Sequence, residues 1–134
     1  MKELSELVLP EDVRYTKDHE WGRLEGDVVR CGISDYAQDQ LGDIVFVELP
    51  EVGERFEQGG QLGTVESVKA VAELYAPVAG EVVAVNGMLE DSPQLVNQDP
   101  YGQGWMIDVK PDDPAQLDTL MDAQAYRKML EGLE

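Results

Sequence analysis

A chain of 134 residues is long enough to bury a core and short enough to form one domain. Its 28 acidic and 10 basic side chains give a formal net charge of −18, a sign that repels nucleic acid and anionic membrane. One cysteine, one histidine and no apolar run of membrane-spanning length exclude an internal disulfide, a zinc site and a transmembrane helix.

The opening Met1-Lys2-Glu3-Leu4-Ser5-Glu6 lacks the layout of a signal peptide and is too acidic for a transit peptide, so a cytoplasmic location is expected. Asp27 to Ile33 and Ile44 to Leu49 are rich in Val, Ile and Phe and read as strands. Between them Ser34 caps a short helix through Leu41, with Gly42 as its stop. Ile44 to Val47 is apolar on both faces, which predicts an interior strand of two packed sheets. Gly59-Gly60 and Gly102-Gln103-Gly104 read as turns, since neither completes a phosphate-binding loop.

Leu62 to Ser67 and Val71 to Tyr75 are strand-like arms joined by a connection short enough for a tight turn. Hairpin tips usually carry Gly, Asn, Asp or Pro. This one carries Val68 and Lys69, which a type I turn accepts but does not require. Lys69 is the only lysine between Lys17 and Lys110, so the turn lifts one isolated amine into solvent on a rigid support. An arbitrary lysine on a strand end is ordinarily just a solvated charge.

Further along, Glu81 to Val85 reads as a strand, and Trp105, Ile107 and Val109 alternate with Met106, Asp108 and Lys110 as in a half-buried one. Asp113-Pro114-Ala115-Gln116 supplies a cap acid, a proline at the first helical position and a capping-box Gln. Leu117, Leu120 and Met121, then Tyr126, Met129, Leu130 and Leu133, follow at helical spacing as an apolar stripe for the sandwich. One domain over 1–134 results, with its core at about 13–111 and a helical segment at about 113–131.

Catalysis by the chain itself finds little support. Cys31 lies in an apolar strand with no adjacent base, and His19, between Asp18 and Glu20, is expected to have a raised pKa rather than to serve as a ready base. The acids lack calcium-loop spacing, so no metal ligands are assigned.

Glu66-Ser67-Val68-Lys69-Ala70 resembles the attachment motif of lipoyl carriers. Six flanking blocks, in order, resemble the glycine cleavage system H-protein: Tyr15 to Trp21, Gly32 to Gln38, Leu41 to Pro50, Tyr75 to Val82, Leu89 to Pro93 and Asn97 to Trp105. The likeness runs from about Val13 to Leu130.

The fold it implies is mainly β, a small lipoyl-type sandwich (a flattened barrel-sandwich hybrid) with a short internal helix and C-terminal helices. It implies N6-lipoyllysine at Lys69, with Glu66, Ser67, Val68 and Ala70 completing the lipoylation motif. It implies a non-catalytic, monomeric carrier that takes an aminomethyl group from glycine decarboxylase (P-protein) to the aminomethyltransferase (T-protein). Dihydrolipoamide dehydrogenase (L-protein) then reoxidises the carrier, and a lipoate-attaching enzyme loads it. Glu20, Glu73 and Asp18 are the expected docking acids for the loaded arm; their bland role is surface charge.

Competing carriers fit less well. A biotin carrier would have Met on both sides of the lysine, where this chain has Val68 and Ala70. Lipoyl domains of 2-oxo acid dehydrogenases usually place Asp before it and are shorter. An H-protein-like lipoate relay and a purely structural acidic binding protein both stay open at the level of sequence.

Overall fold

The computed structural model describes residues 2–133, so the Met1 and Glu134 ends of the expected 1–134 domain lie outside the described residues. Two antiparallel sheets face each other without closing into a barrel. The larger is built from β1 (Arg14–Tyr15), β2 (Glu20–Glu25), β3 (Val28–Ile33), β5 (Arg55–Phe56), β8 (Gly80–Val85) and β9 (Ile107–Pro111), in the order β1-β2-β3-β9-β8-β5. The smaller holds β4 (Ile44–Glu48), β6 (Gln61–Ser67) and β7 (Val71–Tyr75), with β6 in the middle.

Apolar side chains from both sheets meet in one core that includes Val29, Cys31, Ile44, Val65, Leu74, Val82 and Ile107. Strand alternation produces it: Val47 and Val65 point inward while their neighbours Phe46 and Glu66 point out. A second cluster forms where Tyr15, Trp21, Tyr126 and Leu130 pack together, with the Tyr15 and Tyr126 rings stacked at 4.4 Å. Trp21 lies across from Gly32, where any Cβ would press on the indole at 2.9 Å, and its Nε1 donates to the Pro100 carbonyl at 3.1 Å.

Helix α1 (Asp35–Leu41) begins and ends where expected, with Ser34 Oγ accepting from the Ala37 amide and Gly42 at φ 78° as its C-cap. Two one-turn helices, α2 (Met88–Asp91) and α3 (Leu95–Gln98), fill a stretch for which no helix is expected. The C-terminal region is a 3-10 segment over Pro114–Thr119 followed by α4 (Ala123–Glu131), capped by Asp122. Asp113 caps the 3-10 segment as expected, but Gln116 closes no capping box: its Oε1 accepts from the Ala79 amide at 2.8 Å. Leu133 falls off the apolar stripe and is exposed.

Two strand readings are corrected. Ile44 to Val47 is not interior: β4 is an edge strand, and a bulge between Ile44 and Phe46 leaves Val45 and Phe46 in solvent. The Trp105 to Val109 stretch is not half-buried either. Pairing begins at Ile107, and Met106 and Asp108 are buried as well. Asp108 tolerates burial because Arg30 donates to both of its oxygens, at 2.9 and 3.1 Å.

Candidate functional site

The β6–β7 hairpin ends in Val68 and Lys69, both exposed, and no residue of the tip has a positive φ. The turn is closed partly by a side chain. The Ser67 amide donates to the Ala70 carbonyl at 2.8 Å, while Ser67 Oγ accepts from the amides of Ala70 at 3.1 Å and Lys69 at 3.3 Å. Ser67 is therefore buried beneath the tip and takes over work that turn glycines do elsewhere.

The tip also rests on a second loop. The Val68 amide donates to the Asp43 carbonyl at 3.1 Å, and a Cβ on Gly42 would lie 3.6 Å from the Lys69 Cε. The lysine stem thus runs over a glycine held in the left-handed region. Asn97, on α3, fixes this loop from below: its Nδ2 donates to the Gly42 carbonyl at 2.8 Å and to Gln38 Oε1 at 3.0 Å, and its Oδ1 accepts from the Ile44 amide at 2.9 Å. Gln38 in turn donates to buried Asp35.

At the other end of β7 lies a cleft of about 270 Å³, lined by Thr16, Asp18, Glu20, Gln58, Tyr75 and Met121 among others. Glu20 is buried in its wall, and burial pushes its carboxyl up to about 8, even though Thr16 Oγ1 donates to it at 2.7 Å and the Tyr75 amide at 3.4 Å. Tyr75 links two of the expected acids. Its amide serves Glu20 and its hydroxyl donates to Glu73 Oε2 at 2.5 Å. Asp18 and Glu20 share the cleft, whereas Glu73 is exposed on the strand outside its lining and Lys69 stands at the far end of the hairpin. Val71 and Tyr75 are four strand steps apart, roughly 13 Å at ~3.3 Å per residue.

His19 departs from expectation. Its pKa is lowered rather than raised, because burial outweighs the charge of Asp18. It is the one non-glycine residue with a positive φ (72°) among the described residues, and its Nδ1 lies 2.8 Å from the Tyr126 hydroxyl. That hydroxyl also bonds Ser34 Oγ at 2.7 Å, so His19 ties the loop before β2 to α4 and to the cap of α1. It is a brace. Cys31 is buried in the core as expected, and burial pushes its thiol up.

Several residues of the site are not picked out as such by the sequence: Gly42, legible only as a helix stop, lies beneath the lysine stem, Asn97 lies beneath Gly42, and Thr16 and Tyr75 surround Glu20. Asn97 sits in one of the resembling blocks, but nothing local distinguishes it from a loop asparagine.

Comparison with known proteins bears directly on this arrangement. The family model described as Glycine cleavage H-protein matches residues 13–132. A glycine cleavage system H protein of Thermus thermophilus is 58% identical over 124 residues, covering 92% of this chain and 97% of that protein. One from an Anaeromyxobacter species is 52% identical over 128 residues, covering 96% of this chain and all of the other (100%). The crystal structure of a glycine cleavage system H protein from Mycobacterium marinum superposes with a TM-score of 0.85 at 42% identity, over 92% of this chain and 99% of that one. The two-sheet fold and the lysine hairpin thus come with likeness along nearly the whole sequence, and the chain belongs to the glycine cleavage H-protein family.

Proposed function

We propose that the chain is the lipoyl-bearing, non-catalytic carrier of the glycine cleavage system, with lipoate joined in amide linkage to Lys69. The observation that carries this reading is the exposed primary amine at the tip of a hairpin braced by Ser67 and the Gly42-Asp43 loop. Such a mount holds the lysine backbone still and leaves the amine free for an attaching enzyme. The residues fit the group: the stem has room over Gly42, and a cleft stands at the other end of the same hairpin.

When bound, lipoate supplies a reducible cyclic disulfide on a flexible tether, which raises the effective concentration of cargo at each partner. The partners are glycine decarboxylase, the aminomethyltransferase and dihydrolipoamide dehydrogenase, visited in that order, and the cargo is the aminomethyl group of glycine. Glu20, Glu73 and Asp18 are the carboxylates that receive the cationic amine of the cargo. Glu20 and Asp18 do so from the cleft, and Glu73 from the strand beside Tyr75.

The test is intact-mass and peptide analysis of protein produced with lipoate available, followed by a glycine cleavage assay. One lipoyl group on Lys69, and none on Lys69→Arg, is the expected result. Modification elsewhere, or full turnover by the Arg variant, defeats the reading.

A further inference from the structure

We propose that the outer face of the β4–β6–β7 sheet beside the hairpin tip is the docking surface for the enzyme that attaches lipoate, a reading that rests on Lys69 as the attachment site. The strand register assembles this face. Phe46, Glu66 and Val71 form one cross-strand row directly below the tip, and Glu48, Thr64 and Glu73 form the next outward-facing row. Phe46 is 51% exposed and Val71 62%, with Val68 on the tip at 70% and Val45 in the bulge at 49%.

Single exposed apolar residues are ordinary, but several grouped on one edge of a sheet, around one functional lysine, mark a contact surface. The inward-facing residues of the same strands, Ile44, Val47 and Val65, are buried, so the outer ones are surplus to the core. Among the described residues nothing covers them.

The chemistry of attachment selects the occupant. The neutral Lys69 amine must attack the carbonyl carbon of an activated acyl donor, an anhydride or thioester. The C–N bond forms, the activating group leaves and the nitrogen gives up a proton. Nζ itself therefore has to enter the active site, and the enzyme surface around that site must lie against Val68, Val71 and Phe46. Enzymes that act at the distal end of the arm can work without touching the tip. The acids Glu48, Glu66 and Glu73 set the partner's character: an apolar centre ringed by basic side chains.

The experiment uses unlipoylated full-length chain with a purified lipoate ligase, lipoate and ATP, comparing wild type with Phe46→Thr, Val71→Thr and the double variant. Threonine keeps strand propensity at exposed positions, and unchanged thermal unfolding checks the fold. The expected result is a rise of about tenfold in KM for the double variant with little change in kcat, and a wild-type KM that rises with ionic strength. The same variants, lipoylated to completion, are expected to support glycine decarboxylation at the wild-type rate.

Attachment kinetics within about twofold of wild type overturn the proposal, since loss of interface anchors costs more than that. An equal loss in the decarboxylation assay assigns the face to glycine decarboxylase instead. A wild-type dimer that dissolves in the double variant assigns it to a second copy of the chain. Each of these outcomes rejects the attaching enzyme as occupant while Lys69 remains the modified residue. Failure of wild type to be modified at Lys69 is seen before any variant is made, and it removes the functional reading itself.

Discussion

Asn97 Nδ2 donates to the carbonyl of Gly42 at 2.8 Å, joining helix α3 to the loop on which the Lys69 stem lies. The same side chain accepts from Ile44, so one amide group fixes both sides of the α1–β4 connection. Asn97→Ala strands the Gly42 carbonyl and the Ile44 amide, and each unsatisfied group costs about 1–3 kcal/mol where water cannot replace the partner. The expected result is a lower denaturation midpoint and faster amide exchange at Val68, whose acceptor is the Asp43 carbonyl of that loop. Asn97→Asp keeps an acceptor for Ile44 but turns a carboxylate oxygen toward the Gly42 carbonyl and Gln38 Oε1, two acceptors, so it should be no milder than Ala. A midpoint unchanged in Asn97→Ala would show that the loop stands without this support.

Ser67 offers a more local test. Its Oγ accepts from the amides of Lys69 and Ala70, so Ser67→Ala leaves the turn with the single Ser67-to-Ala70 backbone bond. The destabilisation expected for the lost bonds is about 1 kcal/mol. The larger effect should be kinetic: a looser tip presents the amine in many orientations, and lipoylation should slow while the final extent stays complete. Ser67→Thr retains the hydroxyl and should recover most of the rate. Equal modification rates for Ala and wild type would reduce Ser67 to a packing role.

Features set by local pattern were legible in the sequence. The Ser34 cap and Gly42 stop of α1 follow from side-chain and backbone chemistry within eight residues, and the arms around Lys69 follow from strand periodicity. What depended on distant partners was not. The apolar run at Ile44 to Val47 suggested burial on both faces, and only the bulge and the edge position show that Val45 and Phe46 face solvent. Asp108 looked like the polar side of a strand until Arg30 paired with it across the sheet. The two acidic neighbours of His19 predict a raised pKa, yet burial against Tyr36 and Tyr126 lowers it. The motif around Lys69 is legible because it is contiguous, and the contacts of Asn97 are not because they act across more than fifty positions.

Cys31 should be inert. It is buried between β2 and β9, its Sγ has only a weak contact to the Val29 carbonyl at 3.6 Å, and burial holds the thiol in its neutral, unreactive form. Native protein should resist alkylation that goes to completion after unfolding. Cys31→Val nearly conserves volume in an apolar site and should shift stability by less than about 1.5 kcal/mol. Lipoylation and turnover should be unchanged. Rapid native-state alkylation, or loss of turnover in a folded valine variant, would give the thiol a role that its surroundings do not suggest.

Glu20 couples the cleft to pH. Its folded pKa, pushed up to about 8 by burial, lies above the ordinary carboxyl value of 4.5. The folded state therefore holds a proton that the unfolded state has released between those values, and stability falls as pH rises through that window. Below it, both states are protonated and the full stability is present; above about 8, the penalty is complete. Each pH unit inside the window costs on the order of 1 kcal/mol. Glu20→Gln removes the titration and keeps the size, so its stability should be flatter between about pH 5 and about pH 9, with the variant gaining on wild type at the alkaline end. A cation in the cleft reverses the preference, since a neighbouring positive charge favours the carboxylate and pulls its pKa down. The aminomethyl-loaded protein should then lose its one-carbon unit to buffer faster in Glu20→Gln than in wild type, with Glu73→Gln intermediate because its carboxylate is exposed. Parallel stability curves for wild type and Glu20→Gln would mean that Glu20 is ionised within the fold. Equal lifetimes of the loaded forms would mean that the cargo amine does not rest against these acids.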